Sequence, residues 1–338
     1  MTLTIQQDPA IVLDTGVSGR VHAVAFYGDG IHILSGNGDG IRRWRFADGQ
    51  EVGKRTGMAV GAVSVSRDQK WIVCGTESGT SVWDGDMRDS EVIHVEGTNW
   101  VYAVDVSPDS TRFATRSEDL ESEDIGNTAS VWSISNGERL VGPLKHDGEV
   151  TQIRFSPDGE RIATACSGGS VRVFESHTGN EVIDIKATSP SRRLINPLAW
   201  SSDGQQIIVV SNDNKISCFK VSTGSQLVES QILGDIKVES IALAANGRFI
   251  AAYSGRTIFF LDTSTLLRIG PMIDDSEYIA SIALSRDSTY LVTGRHDGKI
   301  TVHSLGHILL NLHDPPHVSI CPFIMSPHIG CAPFCLQC

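Results

Sequence analysis

Residues 150–175 read Val-Thr-Gln-Ile-Arg-Phe-Ser-Pro-Asp-Gly-Glu-Arg-Ile-Ala-Thr-Ala-Cys-Ser-Gly-Gly-Ser-Val-Arg-Val-Phe-Glu. Apolar side chains alternate from Val150 to Phe155, as in a strand with one buried face, and a second strand follows at Ile162–Ala165. The intervening Ser156-Pro-Asp-Gly159 is hairpin chemistry, because Pro presets φ while Asp and Gly tolerate positive φ. Another polar turn leads to a third strand ending at Phe174. The segment therefore predicts three antiparallel strands joined by tight turns.

The same turn recurs along the chain. Its third residue steps forward by 39 to 49 residues, on average 43, at Asp29, Asp68, Asp109, Asp158, Asp203, Asn246 and Asp287. An alternating apolar strand precedes each copy, and no stretch shows a 3.6-residue apolar period. The sequence predicts an all-β repeat protein.

The repeat resembles that of WD-repeat β-propellers. The likeness rests on the period near 43, four strands per unit and the strand ending Val82-Trp-Asp84, and it covers about residues 10–305. In character the chain is similar to fungal WD-repeat scaffold proteins. The resemblance implies a seven-bladed β-propeller of four-stranded antiparallel blades.

Ring closure requires one more strand than the units supply between them. Ala10–Leu13 precedes the first unit and can form the outer strand of the last blade, which would remove an exposed sheet edge. Ile308–Leu312 is an alternative for the same position. We expect closure by the N-terminal strand.

The chain divides into a propeller, residues 1–305, and a C-terminal tail, residues 306–338. The tail is rich in Cys, His and Pro, and we expect it to be poorly ordered. Cys331-x-x-x-Cys335-x-x-Cys338 has spacing that suits zinc, but the tail lacks the paired ligand loops of a standard finger. We therefore predict no metal and no other cofactor.

Composition bounds the partners and the compartment. The net charge of −12 argues against nucleic acid and anionic membranes, which bind through Lys and Arg clusters. The first residues lack the pattern of a secretory signal, and no apolar run approaches about 20 residues. We expect a cytoplasmic protein, with a nuclear location as the alternative.

Cys74, Cys166 and Cys218 lie among apolar neighbours in separate units, so we expect buried free thiols.

The resemblance also implies a buried relay of His, Ser or Thr, Asp and Trp within a blade. The fourth unit has His146 and Thr164 but Phe174 in the Trp place. Asp213 and Asp297 have the relay Asp spacing, six residues before Phe219 and His303. We interpret these residues as structural, because a buried polar network is stable only when its members are paired.

We find no catalytic or phosphate-binding motif in the sequence. A non-catalytic protein-interaction scaffold is therefore the leading prediction. The first alternative is a propeller enzyme, which would need convergent ionisable groups at the central channel. The second is a ubiquitin-ligase substrate receptor. Such receptors carry Trp-Asp-x-Arg, whereas Trp83-Asp-Gly-Asp86 ends in Asp.

In WD-repeat propellers, one face collects the residues that lead into each first strand. In this sequence the residues at these entrances are Arg20, Ala59, Trp100, Glu149, Leu194, Lys237 and Tyr278. Aromatic and Arg side chains bury large areas at modest entropic cost, so Arg20, Trp100 and Tyr278 are candidate partner anchors. The alternative is that each packs against a neighbouring blade.

The third unit contains an acidic insertion on that face. Residues 118–124 place five acids in seven positions: Glu118, Asp119, Glu121, Glu123 and Asp124. Clustered charge can steer an oppositely charged partner, so we expect protein partners with basic segments. The molecule is predicted to be a monomeric platform within a larger complex.

Overall fold

The computed structural model describes residues 4–5, 11–53, 57–87, 92–96, 100–117, 128–186, 197–210, 215–230 and 236–306. These residues form 29 strands, numbered β1 to β29 in chain order. In the described ranges no helix is both long enough and apolar enough to span a bilayer.

The strands form seven sheets, which we number as blades in chain order. The first blade consists of β3 (Ala23–Phe26), β4 (His32–Asn37), β5 (Gly40–Arg45) and β6 (Glu51–Val52). The second consists of β7 (Val60–Val65), β8 (Trp71–Thr76), β9 (Gly79–Asp84) and β10 (Ile93–Glu96). The third consists of β11 (Val104–Val106), β12 (Arg112–Ser117), β13 (Thr128–Ser133) and β14 (Arg139–Lys145). The fourth and fifth are β15 (Val150–Phe155), β16 (Arg161–Cys166), β17 (Val171–Glu175) and β18 (Glu181–Ile185); and β19 (Leu198–Trp200), β20 (Gln206–Val210), β21 (Ile216–Lys220) and β22 (Gln226–Glu229). The sixth is β23 (Ser240–Leu243), β24 (Phe249–Ser254), β25 (Thr257–Asp262) and β26 (Arg268–Asp274), with β1 (Thr4–Ile5) added; the seventh is β27 (Ile279–Leu284), β28 (Tyr290–Arg295), β29 (Lys299–Ser304) and β2 (Ile11–Asp14).

The blades are arranged in a closed ring. The innermost strand of each blade contacts that of the next, from β3 through β7, β11, β15, β19 and β23 to β27, and β27 contacts β3. Seven apolar clusters fill the seven interfaces between neighbouring blades. The core is thus distributed around the ring, and the prediction of an all-β, seven-bladed propeller is confirmed.

The N-terminal strand closes the ring as expected. Ile11 pairs with Val302 and Leu13 with Ile300 in an antiparallel ladder between β2 and β29. Alternation places Leu13 in the core, 4% exposed, and Val12 on the surface, 46% exposed. The observed strand begins one residue after the predicted Ala10, which lies outside the described residues, as does Ile308–Leu312.

The strand pairing of the third blade begins at Val104. Just before it, the amide of Val101 donates to the Thr76 carbonyl of the second blade at 3.0 Å. The sixth blade has a fifth strand, since β1 runs parallel to β26 and pairs Thr4 with Met272. A strand of two residues is too short to show a period-two pattern, so the sequence did not predict β1.

The recurring turn is stabilised by its own side chains. In the fourth blade, Ser156 Oγ donates to Asp158 Oδ1 at 2.5 Å and accepts the amide of Arg161 at 2.9 Å. The same pair of bonds occurs at Ser66, Ser107, Ser201 and Ser285. The Ser-x-Asp spacing therefore encodes a hairpin that satisfies its own polar groups.

Candidate interaction face at the channel mouth

Neighbouring blades approach each other closely where the second strand of one blade faces the entrance of the next. The fifth residue of that second strand is Gly36, Gly75 or Gly294 in three blades. A Cβ on Gly36 would lie 2.6 Å from Val60 Cγ1, and a Cβ on Gly75 would overlap the Val101 carbonyl oxygen. Glycine is used here because the neighbouring backbone occupies the space of a side chain.

Larger side chains at the same position reach across to the next blade. Arg116 in the third blade forms an ion pair with Glu149, the entrance residue of the fourth blade, and donates to the Trp100 carbonyl. Tyr253 in the sixth blade donates its hydroxyl to the Ala280 carbonyl at 2.9 Å. Burial is the main cause that raises the pKa of Tyr253, and the charge of Glu239 adds to it. These contacts join neighbouring blades around the channel.

A cavity of about 400 Å³ occupies the centre of the ring. Six of the seven innermost strands contribute to its wall, and its Arg, His and Glu lining residues are Arg20, His22, Arg116, Glu149, Arg154 and Glu239. Trp100 and Tyr278 are not among the residues that line this cavity. Two of the residues at the first-strand entrances, Arg20 and Glu149, do line the cavity, together with residues of the first strands themselves.

Arg20 and His22 occupy the wall beside the first blade. Arg20 forms no ion pair or hydrogen bond with any described residue, and its Nε is buried. Burial lowers the pKa of His22, and the positive charges of Arg20 and His296 lower it further. His22 is therefore neutral at physiological pH, and Arg20 carries the charge on this side of the cavity.

An aromatic arc borders the cavity, formed by Tyr102, Trp100, His22, His296 and Tyr278. Trp100 and Tyr102 stack with ring centroids 5.6 Å apart and an interplanar angle of 8°. His22 lies 6.2 Å from Trp100, and Tyr278 lies 6.2 Å from His296. His22 and His296 interact electrostatically, which connects the two halves of the arc.

The two ends of the arc are exposed. Tyr102 is 51% exposed and Tyr278 is 58% exposed, whereas Trp100 is half-buried. The Trp100–Tyr102 stack packs directly against Gly61. A Cβ at this position would lie 3.0 Å from Tyr102 and 3.3 Å from Trp100. Sequence reasoning missed Tyr102, although its place two residues after Trp100 on an extended segment puts both rings on one side.

Several predicted residues lie outside the described part of the chain. These are the acidic insertion with Glu118, Asp119, Glu121, Glu123 and Asp124, together with Leu194 and Asp213. Arg20, Trp100 and Tyr278 are described, and all three lie at or beside the channel mouth. Their role as partner anchors stays a prediction.

Comparison with known families agrees with this architecture. Residues 113–196 match the family described as the WD40 domain of anaphase-promoting complex subunit 4, and residues 270–304 match the family described as WD domain, G-beta repeat. The chain is a WD-repeat β-propeller.

Curated relatives of this WD-repeat propeller come from several classes of protein. It is 28% identical to the small ribosomal subunit protein RACK1 of Caenorhabditis elegans over 46% of this chain and 48% of that protein. It is 25% identical to actin-interacting protein 1 of Drosophila melanogaster over 87% of this chain and 49% of that protein. The chain thus spans about half the length of these relatives.

A fungal relative is also found. The chain is 28% identical to protein HIR1 of Aspergillus oryzae, but over only 47% of this chain and 17% of that protein. The predicted closeness to fungal scaffold proteins therefore stays a prediction.

The WD-repeat relay is present only in fragments. His146 Nε2 lies 2.7 Å from Thr164 Oγ1, as predicted, and the His146 ring packs edge-on against Phe174. In the first blade, Trp44 Nε1 donates to Ser35 Oγ at 2.9 Å. The residues that remain of the relay are buried and have structural partners.

The seventh blade replaces the relay with a charged cluster. Asp275 stands four residues before Ile279, as His146 stands before Val150, and its Oδ2 accepts from Thr293 Oγ1 at 3.0 Å. Arg295 lies between Asp275, at 3.3 Å, and Asp297, at 2.6 Å. Sequence reasoning found Asp297 and missed Asp275, although its spacing was a usable signal.

His303 completes this cluster in the Trp place. Its Nε2 lies 3.6 Å from Asp275 Oδ2. Burial opposes ionisation of Asp275, but the contact with His303 and the charge of Arg295 outweigh it, so that the pKa of Asp275 is lowered. The cluster is therefore held together by an ionised Asp275.

The three repeat cysteines are buried thiols that form no disulfide with one another, as predicted. Burial, with a smaller contribution from the charge of Asp203, raises the pKa of Cys218 to about 11. Among the described residues no group of three or more His, Cys, Asp or Glu side chains is arranged to hold a metal ion. The Cys-rich tail follows Gly306 and lies outside the described residues.

Proposed function

We propose that this propeller is a non-catalytic scaffold that docks partner proteins on the face carrying the channel mouth. The observation that supports this most is the aromatic arc, whose ends at Tyr102 and Tyr278 are more than half exposed on a rigid ring. Large exposed aromatic side chains on a stable frame are typical anchors of protein interfaces. The relatives named as an actin-interacting protein and a ribosomal subunit protein favour the same class of function.

The charge of the chain favours one class of partner. A chain of net charge −12 with an acidic insertion at residues 118–124 favours partners with basic segments over nucleic acid or membranes. We propose a cytoplasmic or nuclear platform that acts as one subunit of a larger complex.

The enzyme alternative gains one observation, the ionisable lining of the central cavity. Catalysis by general acid and base would need a base within hydrogen-bond distance of a reacting group. Glu149 is instead engaged by Arg116 in an ion pair, and the backbone amide of Gly255 donates to Glu239. The cavity therefore favours binding over proton transfer.

The test is affinity capture from native lysate with the wild-type protein and Trp100→Ala. Leu227→Ala is the matched control, since Leu227 is 49% exposed on an outer strand away from the arc. We expect Trp100→Ala to lose polypeptides that wild type and Leu227→Ala both retain, at an unchanged thermal midpoint. Identical capture by all three proteins would contradict docking at the arc.

A further inference from the structure

The central cavity has the opposite charge to the molecule as a whole. Its lining includes three arginines, Arg20, Arg116 and Arg154, and two glutamates, Glu149 and Glu239. Because His22 has a lowered pKa and is neutral, the lining has a net positive charge, whereas the chain carries −12. In a partly enclosed site this charge is less screened than on the surface.

Two of the three arginines have protein partners. Arg116 is paired with Glu149 and the Trp100 carbonyl. Arg154 donates to the carbonyls of Ile153 at 3.0 Å and Val104 at 3.3 Å, and it interacts electrostatically with Asp105. Neither guanidinium depends on a ligand for its hydrogen bonds.

Arg20 is different. Its Nε is buried, and its guanidinium has no ion pair or hydrogen bond within the described part of the chain. Of the two glutamates in the cavity wall, Glu149 is paired with Arg116, and Glu239 accepts the backbone amide of Gly255 at 3.4 Å. A buried donor without an acceptor is unfavourable, and a carboxylate satisfies a guanidinium with charge-assisted, bidentate bonds.

The aromatic arc extends the site beyond the cavity. Trp100 and Tyr102 lie on one side of His22, and Tyr278 lies on the other side beyond His296. A small carboxylate inside the cavity would leave these rings uncovered. A ligand that contacts both must be a chain that places one acidic side chain in the cavity and apolar side chains on the arc.

We propose that the channel mouth binds a segment of a partner protein in which an Asp or Glu side chain pairs with Arg20 and a flanking apolar or aromatic residue packs on the Trp100–Tyr102 stack. This inference rests on the proposed function, because it names the chemistry of the segment that docks on the same face. The basic residues expected to meet the acidic insertion and the acid expected to pair with Arg20 would be different residues of the partner.

The test uses fluorescent nine-residue peptide pools with Leu and Phe at the flanking positions and Glu, Gln or Lys at the fixed central position. Binding is measured by fluorescence polarisation. A hydrogen bond to a charged group is stronger than the same bond to a neutral amide. We therefore expect wild type to bind the Glu pool about tenfold more tightly than the Gln pool, and the Lys pool least.

Variants separate the cavity from the arc. Arg20→Gln should remove the preference for Glu and leave Gln-pool binding unchanged. Arg45→Gln is the matched control, because it removes an exposed arginine of the same blade whose ion pair, within the described residues, is with Asp48. Trp100→Ala should weaken all pools and retain the preference for Glu.

Each outcome has a defined meaning. A preference for Lys, no preference, or no binding of any pool by wild type up to millimolar concentration overturns the inference. If pools bind equally and Trp100→Ala weakens them, the inference fails while docking at the arc stands. If Arg20→Gln matters but Trp100→Ala does not, docking at the arc fails. Free glutamate that binds as tightly as the Glu pool would also overturn it, since a metabolite would then be the ligand.

Discussion

The carboxylate of Asp275 lies 3.3 Å from the guanidinium of Arg295, and both side chains are buried in the seventh blade. Thr293 donates to the same carboxylate, and His303 lies beside it. The propeller thus has Asp275 where the resemblance leads one to expect a His, and His303 where it leads one to expect a Trp. An arrangement of this kind tolerates the loss of neither partner, because the remaining charge is left buried.

Asp275→Asn should lower the free energy of unfolding at neutral pH by about 3 kcal/mol, as expected for one partner lost from a buried ion pair. The pKa of Asp275 is lowered by its neighbours in the folded state. Its stabilisation is therefore complete above the unfolded pKa near 3.8 and is lost as the pH falls through the lower folded pKa. Urea unfolding of both proteins at pH 7 and below pH 4 should show the difference narrowing in acid.

Asp274→Asn is the control for that experiment. Asp274 is exposed and accepts only from Thr257 Oγ1 at 2.7 Å in the described structure. Its replacement should change stability by less than about 0.5 kcal/mol. Equal effects of the two substitutions would show that the buried pair is not what stabilises the blade.

Gly75→Ala should destabilise the interface between the second and third blades. A Cβ at this position would overlap the Val101 carbonyl, and relieving such overpacking costs about 1–3 kcal/mol. Gly38→Ala, with no atom within 4 Å of its added Cβ, should be near neutral. Thermal unfolding of the pair measures the difference, and similar midpoints would argue against the close approach of the blades.

The closure of the ring by β2 can be tested through its alternation. Leu13→Ala should cost about 2–5 kcal/mol, because Leu13 is buried between the seventh and first blades. Val12→Ala, one residue away on the exposed face, should cost far less. Deletion of residues 1–14 should lower the thermal midpoint, and an unchanged midpoint would contradict closure by this strand.

Charge-neutral replacement of Glu118–Asp124 should slow association with a basic partner at low salt and flatten the salt dependence of the association rate. Dissociation should change little, since the effect is long-range steering. Stopped-flow binding measures both rates. A scrambled insertion with the same seven residues should keep the wild-type association rate, and a loss in that control would indicate a specific contact instead.

Cys74, Cys166 and Cys218 should resist alkylation by iodoacetamide at pH 8 in the folded protein. All three are buried, and the pKa of Cys218 is raised to about 11, so little thiolate is present. Mass spectrometry should find them modified only after unfolding. Rapid modification of Cys218 in the native state would mean that the fifth blade opens readily.

The repeated turn and the alternating strands were sufficient to predict the number of blades and the strand that closes the ring. Both are local properties: Ser156, Asp158 and Gly159 satisfy their own hairpin, and Leu13 alternates with Val12 wherever the strand lies. Hydrogen-bonded turns and period-two alternation are set by residues close in sequence. The sequence alone therefore determined the architecture.

The composition of the channel was decided by the tertiary structure. Arg20 and Glu239 line the same cavity although they are more than 200 residues apart in sequence, and Tyr102 stands beside Trp100 only because Gly61 of another blade provides the space. Asp275 meets Arg295 and His303 through pairing of β27, β28 and β29. Such contacts depend on the angle between packed blades and on how close their backbones come, which no short stretch of sequence specifies.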